Sequence, residues 1–293
     1  MVGFDVVIPV FKTEPEHLRE AIDSVLNQTY QDFEIYISDG TPEDHEWHSK
    51  KTLADYDDER IHILQQEGKG ISDARNQAFQ AGCNSYVALL DSDDGWYDLK
   101  LEDYAKEFTA NPELKFLWGA ADVSVEIVSP KGEKFKTTAL GGYQKEWAKT
   151  APHHRWFRVY WTPLMTSTHI YSRKALEVVG GWSSPYNGED TELNIKIMKL
   201  WPNDVKQLDG IYGFYRSHSN QTTKEGATEQ KDITEDMTVR LPYQEMMSAL
   251  RLLDADLEEQ YWEWFNQVLH EERGRATGET LEWSVRTNER FFR

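Results

Sequence analysis

Through residue 110, short continuous apolar runs alternate with segments whose apolar residues recur every three or four positions. Phe4 to Val10, Glu34 to Ser38, Arg60 to Leu64 and Tyr86 to Leu90 are rich in strand formers and bounded by turn residues. They predict four buried strands. Between the first two, Leu18, Ile22, Val25 and Leu26 keep helical spacing. Thr13-Glu14-Pro15-Glu16 just before them reads as a capping box with an early proline. Ala74, Ala78 and Phe79 share one side of a second helix, which Ser72 would cap and Gly82 would end, and another helix would start near Asp98. This alternation builds βαβ units with right-handed crossovers, so the fold class is α/β: a mostly parallel sheet flanked by helices.

After residue 111 the pattern loosens. Phe116 to Val128 predicts a long strand, and Pro130-Lys131-Gly132-Glu133 a hairpin turn. Residues 141 to 163 carry Tyr143, Trp147, Trp156, Phe157, Tyr160 and Trp161 without clear period; such rings either stack on sugar faces or pack a loop. Thr166 to Ser172 reads as a strand, Lys174 to Val179 as a short helix stopped by Gly180-Gly181, and Asp190 to Leu200 as another helix. From about residue 226 the chain reads as helical, with Met246, Leu250, Leu253, Leu257, Tyr261, Trp264 and Val268 on one stripe. That C-terminal helical extension would dock on the main domain, or serve a homodimer or a peripheral membrane contact.

Bulk properties narrow the classes. A chain of 293 residues holds one large domain, or a domain with an extension. A net charge of −19 excludes the basic footprint that nucleic-acid phosphates demand, so no nucleic-acid partner is expected. Cys83 is the only cysteine, which rules out an intrachain disulfide and fits a reducing, cytoplasmic compartment. No secretory signal or membrane-spanning run is visible, so the expectation is a cytoplasmic protein, at most peripheral at the membrane face.

The chemistry centres on Asp91-Ser92-Asp93-Asp94, which follows the fourth strand directly. Open α/β sheets bind ligands at the carboxyl ends of their strands. Clustered carboxylates there repel one another unless a cation joins them, and Mg²⁺ or Mn²⁺ commonly bridges such groups to substrate phosphates. An N-cap and turn ahead of the next helix is the alternative. A Gly-x-Gly-x-x-Gly fingerprint is absent and Gly68-Lys69-Gly70 lacks the P-loop spacing, which disfavours nicotinamide-binding and P-loop enzymes.

Several ordered motifs together resemble family 2 glycosyltransferases: Val6-Val7-Ile8-Pro9-Val10-Phe11, the stretch from Ser24 to Glu34, Ser38-Asp39-Gly40, Ala74-Arg75-Asn76, and Asp91 to Trp96. The likeness is strong through residue 110, patchy to about 222 and not evident beyond. It implies a GT-A fold, a nucleotide-sugar donor, a divalent metal and inversion at the anomeric carbon. It also implies site residues. Pro9, Val10, Phe11, Glu14, Asp39, Arg75, Asp91 and Ser92 fall to the nucleotide, with Asp39 accepting the imide N–H of uracil. Asp93 is the preferred metal ligand, and Asp94 is open to the same role. His218, in Tyr215-Arg216-Ser217-His218, completes the metal shell and favours Mn²⁺ over Mg²⁺. Gly180-Gly181-Trp182 and Asn187-Gly188-Glu189-Asp190 match the acceptor side: Asp190 is the general base, and Trp182 and Glu189 contact the acceptor. Trp182 could instead pack in the core, and Glu189 and Asp190 could simply open a helix.

The expected organisation is a glycosyltransferase domain over residues 1–225, with a nucleotide half to about 110 and an acceptor half from 111, then the extension over 226–293. The expected function is metal-dependent, inverting transfer of a sugar from a nucleotide-sugar, UDP-sugar favoured, to a hydroxyl of a carbohydrate or glycoconjugate. One rival is a non-catalytic nucleotide or sugar binder of the same fold. Another is a sugar nucleotidyltransferase, which would need a glycine-rich basic loop where Phe11-Lys12-Thr13-Glu14-Pro15 stands.

Overall fold

A computed structural model describes residues 2–128, 134–139, 165–183 and 189–218. The turn at 130–133, the aromatic stretch at 141–163, Asn187-Gly188 and the helices expected beyond 226 lie outside the described residues.

The first half forms as its alternation demands. Strands β1 (Phe4–Val10), β2 (Phe33–Asp39), β3 (Ile61–Gln65) and β4 (Tyr86–Leu89) pair in parallel, in the order β3-β2-β1-β4. Helix α1 (Pro15–Leu26) follows β1, the single turn α2 (Ser49–Thr52) follows β2, and α3 (Gly70–Ala81) joins β3 to β4. Successive side chains of a strand point to opposite faces, and here both faces are covered. Val6, Ile8 and Ala88 pack with Leu18, Ile22 and Val25 of α1 and with Leu101, Tyr104 and Phe108 of α4 (Lys100–Ala110). Val7, Val87 and Leu89 pack on the other side with Ala78 and Phe79 of α3.

The second half extends the sheet with mixed pairing. Strand β4 lies antiparallel to β8 (Ile170–Ser172), and β8 antiparallel to β6 (Phe116–Val128). Strand β6 runs parallel to β9 (Val205–Ser217) and antiparallel to β7 (Lys134–Ala139), and two-residue β5 (Gly95–Trp96) closes on β9. Helices α5 (Arg173–Val179) and α6 (Glu189–Leu200) contribute Leu176, Leu193 and Ile197 to the core around Phe116 and Tyr171. Gly180, at φ +82°, ends α5 in the left-handed conformation expected of that position. Among the described residues no helix is long and apolar enough to cross a membrane.

Three local expectations need correction. Glu14, not Thr13, is the N-cap of α1, and no side chain caps it; the Thr13 hydroxyl instead meets the Ser92 hydroxyl at 2.6 Å. Ser72 lies inside α3, which starts at Gly70 because that glycine, at φ +80°, turns the chain directly into the helix. Thr166 to Ser172 is not one strand: a 3-10 turn over Thr166–Thr168 precedes β8 and aims Ser167 at the carboxylates after β4.

Candidate active site

The loops after β1, β2 and β4 meet at one edge of the sheet. Pro9 and Val10 end β1, and Phe11 beyond them is 66% exposed with its ring beside Gly40. Lys12 holds φ +50°, unusual for a residue with a side chain, and its backbone N–H donates to the Thr41 hydroxyl at 2.7 Å. Asp39, at the end of β2, is fully buried. Its two oxygens accept from the backbone N–H groups of Thr41 and Ser49, each at 2.7 Å, so it fixes the loop beneath the Phe11 ring. Ser92 joins this edge through its bond to Thr13, whereas Glu14, the N-cap of α1, lies with His17 and His218.

The three aspartates after β4 have separate environments. Asp94 is buried: its Oδ2 accepts from Ser167 Oγ at 2.6 Å and its Oδ1 from the Arg216 backbone N–H at 2.9 Å. Burial, then the charges of Asp93 and Asp91, push its carboxyl well above the usual range. Asp91 and Asp93 keep part-exposed side chains, at 30% and 25%. Asp91 accepts from Arg75 Nη2 at 2.9 Å, and Asp93 Oδ2 lies 2.9 Å from His218 Nε2. Of the three, Asp91 and Asp93 are therefore the carboxylates that open toward solvent.

Arg75 joins the two halves of the molecule. Its guanidinium is buried, with Nη1 donating to Glu189 Oε1 and Nη2 to Asp91. Burial alone would lower its pKa, but Asp91, Glu189 and Asp190 outweigh that and raise it, so Arg75 stays charged. Burial raises the Glu189 carboxyl, with Arg75 opposing and Asp190 adding to the shift. Arg75 thus sits behind Asp91, turned toward carboxylates of the chain itself. The next residue makes a second tie: Asn76 Nδ2 donates to the Trp182 carbonyl at 2.6 Å, and its Oδ1 accepts the Trp182 N–H at 3.0 Å. The Trp182 ring is buried edge-on to Phe79 and Tyr171, so the core is where its side chain belongs. Asp190, one residue beyond Glu189, is part-buried, and its Oδ2 accepts from Thr166 Oγ1 at 2.8 Å.

Sequence reasoning missed the groups that brace this site. Ser167 Oγ donates to Asp94 and accepts the Asp91 N–H at 3.0 Å. The Ser167 carbonyl accepts from both Lys100 Nζ and Trp96 Nε1, each at 2.6 Å. Burial holds the Lys100 ammonium well below its ordinary pKa. Arg216 Nε donates to the Asp93 carbonyl at 2.7 Å, and its Nη2 to Glu20 at 2.7 Å. Each contact bridges more than sixty positions, so no local pattern announces it. Lys100 stands among Asp98, Glu102 and Asp103, and Arg216 is followed by Ser217 and His218, so neither is marked as buried by its local sequence.

Comparison with known proteins places this geometry. The family model "Glycosyl transferase family 2" matches residues 5–176, more than half of the chain. The UDP-Glc:alpha-D-GlcNAc-diphosphoundecaprenol beta-1,3-glucosyltransferase WfgD of Escherichia coli is 30% identical over 119 residues, 40% of this chain and 45% of that one. The putative teichuronic acid biosynthesis glycosyltransferase TuaG of Bacillus subtilis is 35% identical over 100 residues, 33% of this chain and 38% of that one. The chain thus spans less than half the length of these curated relatives. Among solved structures, residues 1–349 of S. aureus TarS with UDP-GlcNAc align with TM-score 0.60 at 16% identity, over 85% of this chain and 65% of that one. The mannosyltransferase PcManGT of Pyrobaculum calidifontis, with GDP-Man and Mn2+, aligns with TM-score 0.54 at 13% identity, over 98% and 79%. These likenesses give the fold, GT-A. Because the family pattern runs from β1 into α5, through the loops that carry Phe11, Asp39, Arg75 and the aspartates, the chain belongs to glycosyl transferase family 2.

Proposed function

We propose that the chain transfers a sugar, with inversion and with the help of a divalent cation, from a nucleotide-sugar to a hydroxyl of a carbohydrate or glycoconjugate acceptor. One observation carries this reading. Arg75 binds Asp91 on the donor side and Glu189 on the other, which fixes Asp190 beside the carboxylates after β4. A base and a diphosphate-binding edge held by one buried guanidinium suit a displacement that needs both ends of the reaction aligned.

On this reading the nucleobase lies on the exposed Phe11 ring beside Gly40. A UDP-sugar is favoured because a carboxylate oxygen has two lone-pair sites, so Asp39 retains capacity for the imide N–H of uracil. The residues present fit a metal. Asp93 keeps part of its carboxylate open to solvent and faces His218 Nε2 at 2.9 Å, which sets an oxygen and a nitrogen donor side by side. Asp93 and a neutral His218 would hold the cation, a pair that favours Mn²⁺ over Mg²⁺. Its chemistry there would be to neutralise charge on the departing diphosphate. Asp190 takes the proton from the acceptor hydroxyl as that oxygen bonds to the anomeric carbon. The bond to the diphosphate breaks on the opposite face, which inverts the configuration. Glu189 and Arg75 hold Asp190 in place, and Thr166 orients its carboxylate.

A thermal-shift panel of UDP, GDP, CDP and ADP, each with and without Mn²⁺, tests the donor assignment. UDP with Mn²⁺ should raise the melting temperature most, since a ligand of the native state stabilises by mass action. An equal response to all four nucleotides, or none to UDP, removes the assignment.

A further inference from the structure

The 3-10 turn Thr166–Thr168 touches both reacting sides of the site. Its side chains reach two carboxylates: Thr166 Oγ1 donates to Asp190 Oδ2 at 2.8 Å, and Ser167 Oγ to Asp94 Oδ2 at 2.6 Å. Its carbonyls are taken by three donors from β5 and α4. Trp96 Nε1 and Lys100 Nζ both donate to the Ser167 carbonyl at 2.6 Å, and the Tyr104 hydroxyl donates to the Thr168 carbonyl at 2.8 Å. Lys100 is the unusual member. It is fully buried, its Nζ lies 3.6 Å from the centre of the Trp96 ring, and among the described residues no carboxylate pairs with it. An amine held inside a protein by one carbonyl and a ring weakens the fold relative to an apolar chain of the same length. Burial holds its pKa well below the ordinary value, so at neutral pH the unfolded chain binds this proton more readily than the folded one. Packing therefore does not account for a lysine here; the carbonyl it holds does.

We infer that Lys100 is a positioning residue for the transfer: through the Ser167 carbonyl it fixes the turn, and through Thr166 the turn fixes where Asp190 stands against the aspartates after β4. The inference rests on the reading of Asp190 as the base. A carbonyl oxygen has two lone pairs, and two donors from different elements set its direction where one would let it swing. The aspartates have holds of their own, Arg75 on Asp91 and Arg216 on the Asp93 carbonyl and the Asp94 carboxylate. The Asp190 carboxylate is steered by the turn itself. Loosening the turn therefore shifts the base relative to the donor without releasing the edge that binds the donor. Ser167 is the hinge of this arrangement, since its hydroxyl also accepts the Asp91 N–H at 3.0 Å.

Lys100→Met tests this in the full chain. It keeps the length and the contact with the Trp96 ring, and the Ser167 carbonyl keeps its Trp96 donor, so the variant should melt no lower than the wild type. Without substrate, amide hydrogen exchange at Asp91 and Thr168, whose N–H groups close on this turn, should quicken by at least about 10-fold, while that at Ile35 in β2 stays as it was. Turnover is measured with UDP-glucose and UDP-GlcNAc in Mn²⁺, as UDP released when water stands in for the acceptor. Its kcat should fall by up to about 10²-fold, the loss that a displacement of about 1 Å brings, with the donor KM unmoved. Thr166→Val breaks the same path nearer the base, so the double variant should lose less than the product of the two single losses. A melting temperature that falls in step with kcat would reduce Lys100 to a structural role and overturn the inference. So would wild-type exchange at Asp91 and Thr168, a loss carried by KM, or single losses that multiply in full. Full turnover by Asp190→Asn would sink the base assignment, whereas a wild-type kcat in Lys100→Met beside an inactive Asp190→Asn would sink this inference alone. Where the wild type turns over neither donor, the proposed function fails on its own account and the exchange rates decide whether Lys100 holds the turn.

Discussion

The two halves of this sheet earn their stability and their function differently. From β1 to β4 every strand is parallel, the inner three are covered on both faces and the edge strand β3 is half-buried. From β5 to β9 the pairing is mixed, and the strands that meet are far apart in sequence, β6 with β9 and β4 with β8. The first half presents backbone and an aromatic ring at strand ends, the platform on which we propose that the nucleotide lies. The second half brings single polar side chains, Ser167, Arg216 and His218, against Asp94, Glu20 and Asp93 of the first. A parallel sheet supplies a place; the long-range pairings supply the chemistry set upon it.

The sharpest way to break that division is Asp190→Asn. It removes the proposed base from the second half and leaves the first untouched. Transfer should fall about 10²–10⁴-fold, while the UDP-induced thermal shift and the melting temperature stay at wild-type values. Full transfer by this variant would move the base elsewhere. Next in size is Arg75→Met, which strikes the joint itself. Losing one partner of a buried ion pair costs about 3–5 kcal/mol, because Glu189 is left charged and buried and Asp91 loses its clamp. Both chemical stability and transfer should drop together; urea unfolding unchanged within error would show that the two halves are held by other contacts.

The same contrast explains what could be read from the chain. The parallel strands stand out because burial on both faces makes the inner ones apolar runs, and the observed bounds of all four shift by only a residue or so from those expected. The long β6 also matches its expected span. Strand β9 escaped notice because Gly210 and Gly213 interrupt its alternation, and its register against β6 slips between Trp118 and Asp122. Strand β5 and helix α2 are too short to carry a period. At the site, the aspartates were legible as a cluster. Their division of labour was not, since Asp94 turns inward only because Ser167 and the Arg216 amide receive it. Arg75 was placed at the nucleotide by its motif, and its burial between Asp91 and Glu189 depends on a contact across 114 positions.

Acid sensitivity separates the halves by a smaller effect. His169, in the second half, is fully buried, with Nδ1 and the Tyr171 hydroxyl 2.9 Å apart, and burial pushes its pKa down to about 3 from 6.5. The unfolded chain binds this proton below pH 6.5 and the folded chain does not. The stability from His169 is thus fully present above pH 6.5 and lost as pH falls toward 3. Between pH 6.5 and 5 the loss should approach about 2 kcal/mol. Urea unfolding at the two pH values checks it, with His169→Gln as the control: the variant should lose less stability over the same interval. Equal slopes would mean that His169 takes up its proton in the folded state as readily as in the unfolded one.

The smallest effect belongs to the first half alone. Phe11 is exposed and touches little of the core, so Phe11→Ala should leave the melting temperature and the unfolding slope as they are. If the ring is the platform for the nucleobase, its loss removes a stacked pair worth about 0.5–1.5 kcal/mol beyond area. That corresponds to a KM for the donor roughly 2–12-fold higher, with kcat unchanged, because the base contact is made equally before and during transfer. A fall in kcat instead would place Phe11 near the reacting carbon. The aromatic at the end of β1 would then belong to the chemistry that otherwise comes from the second half, and the division between the two halves would not hold at this edge of the sheet.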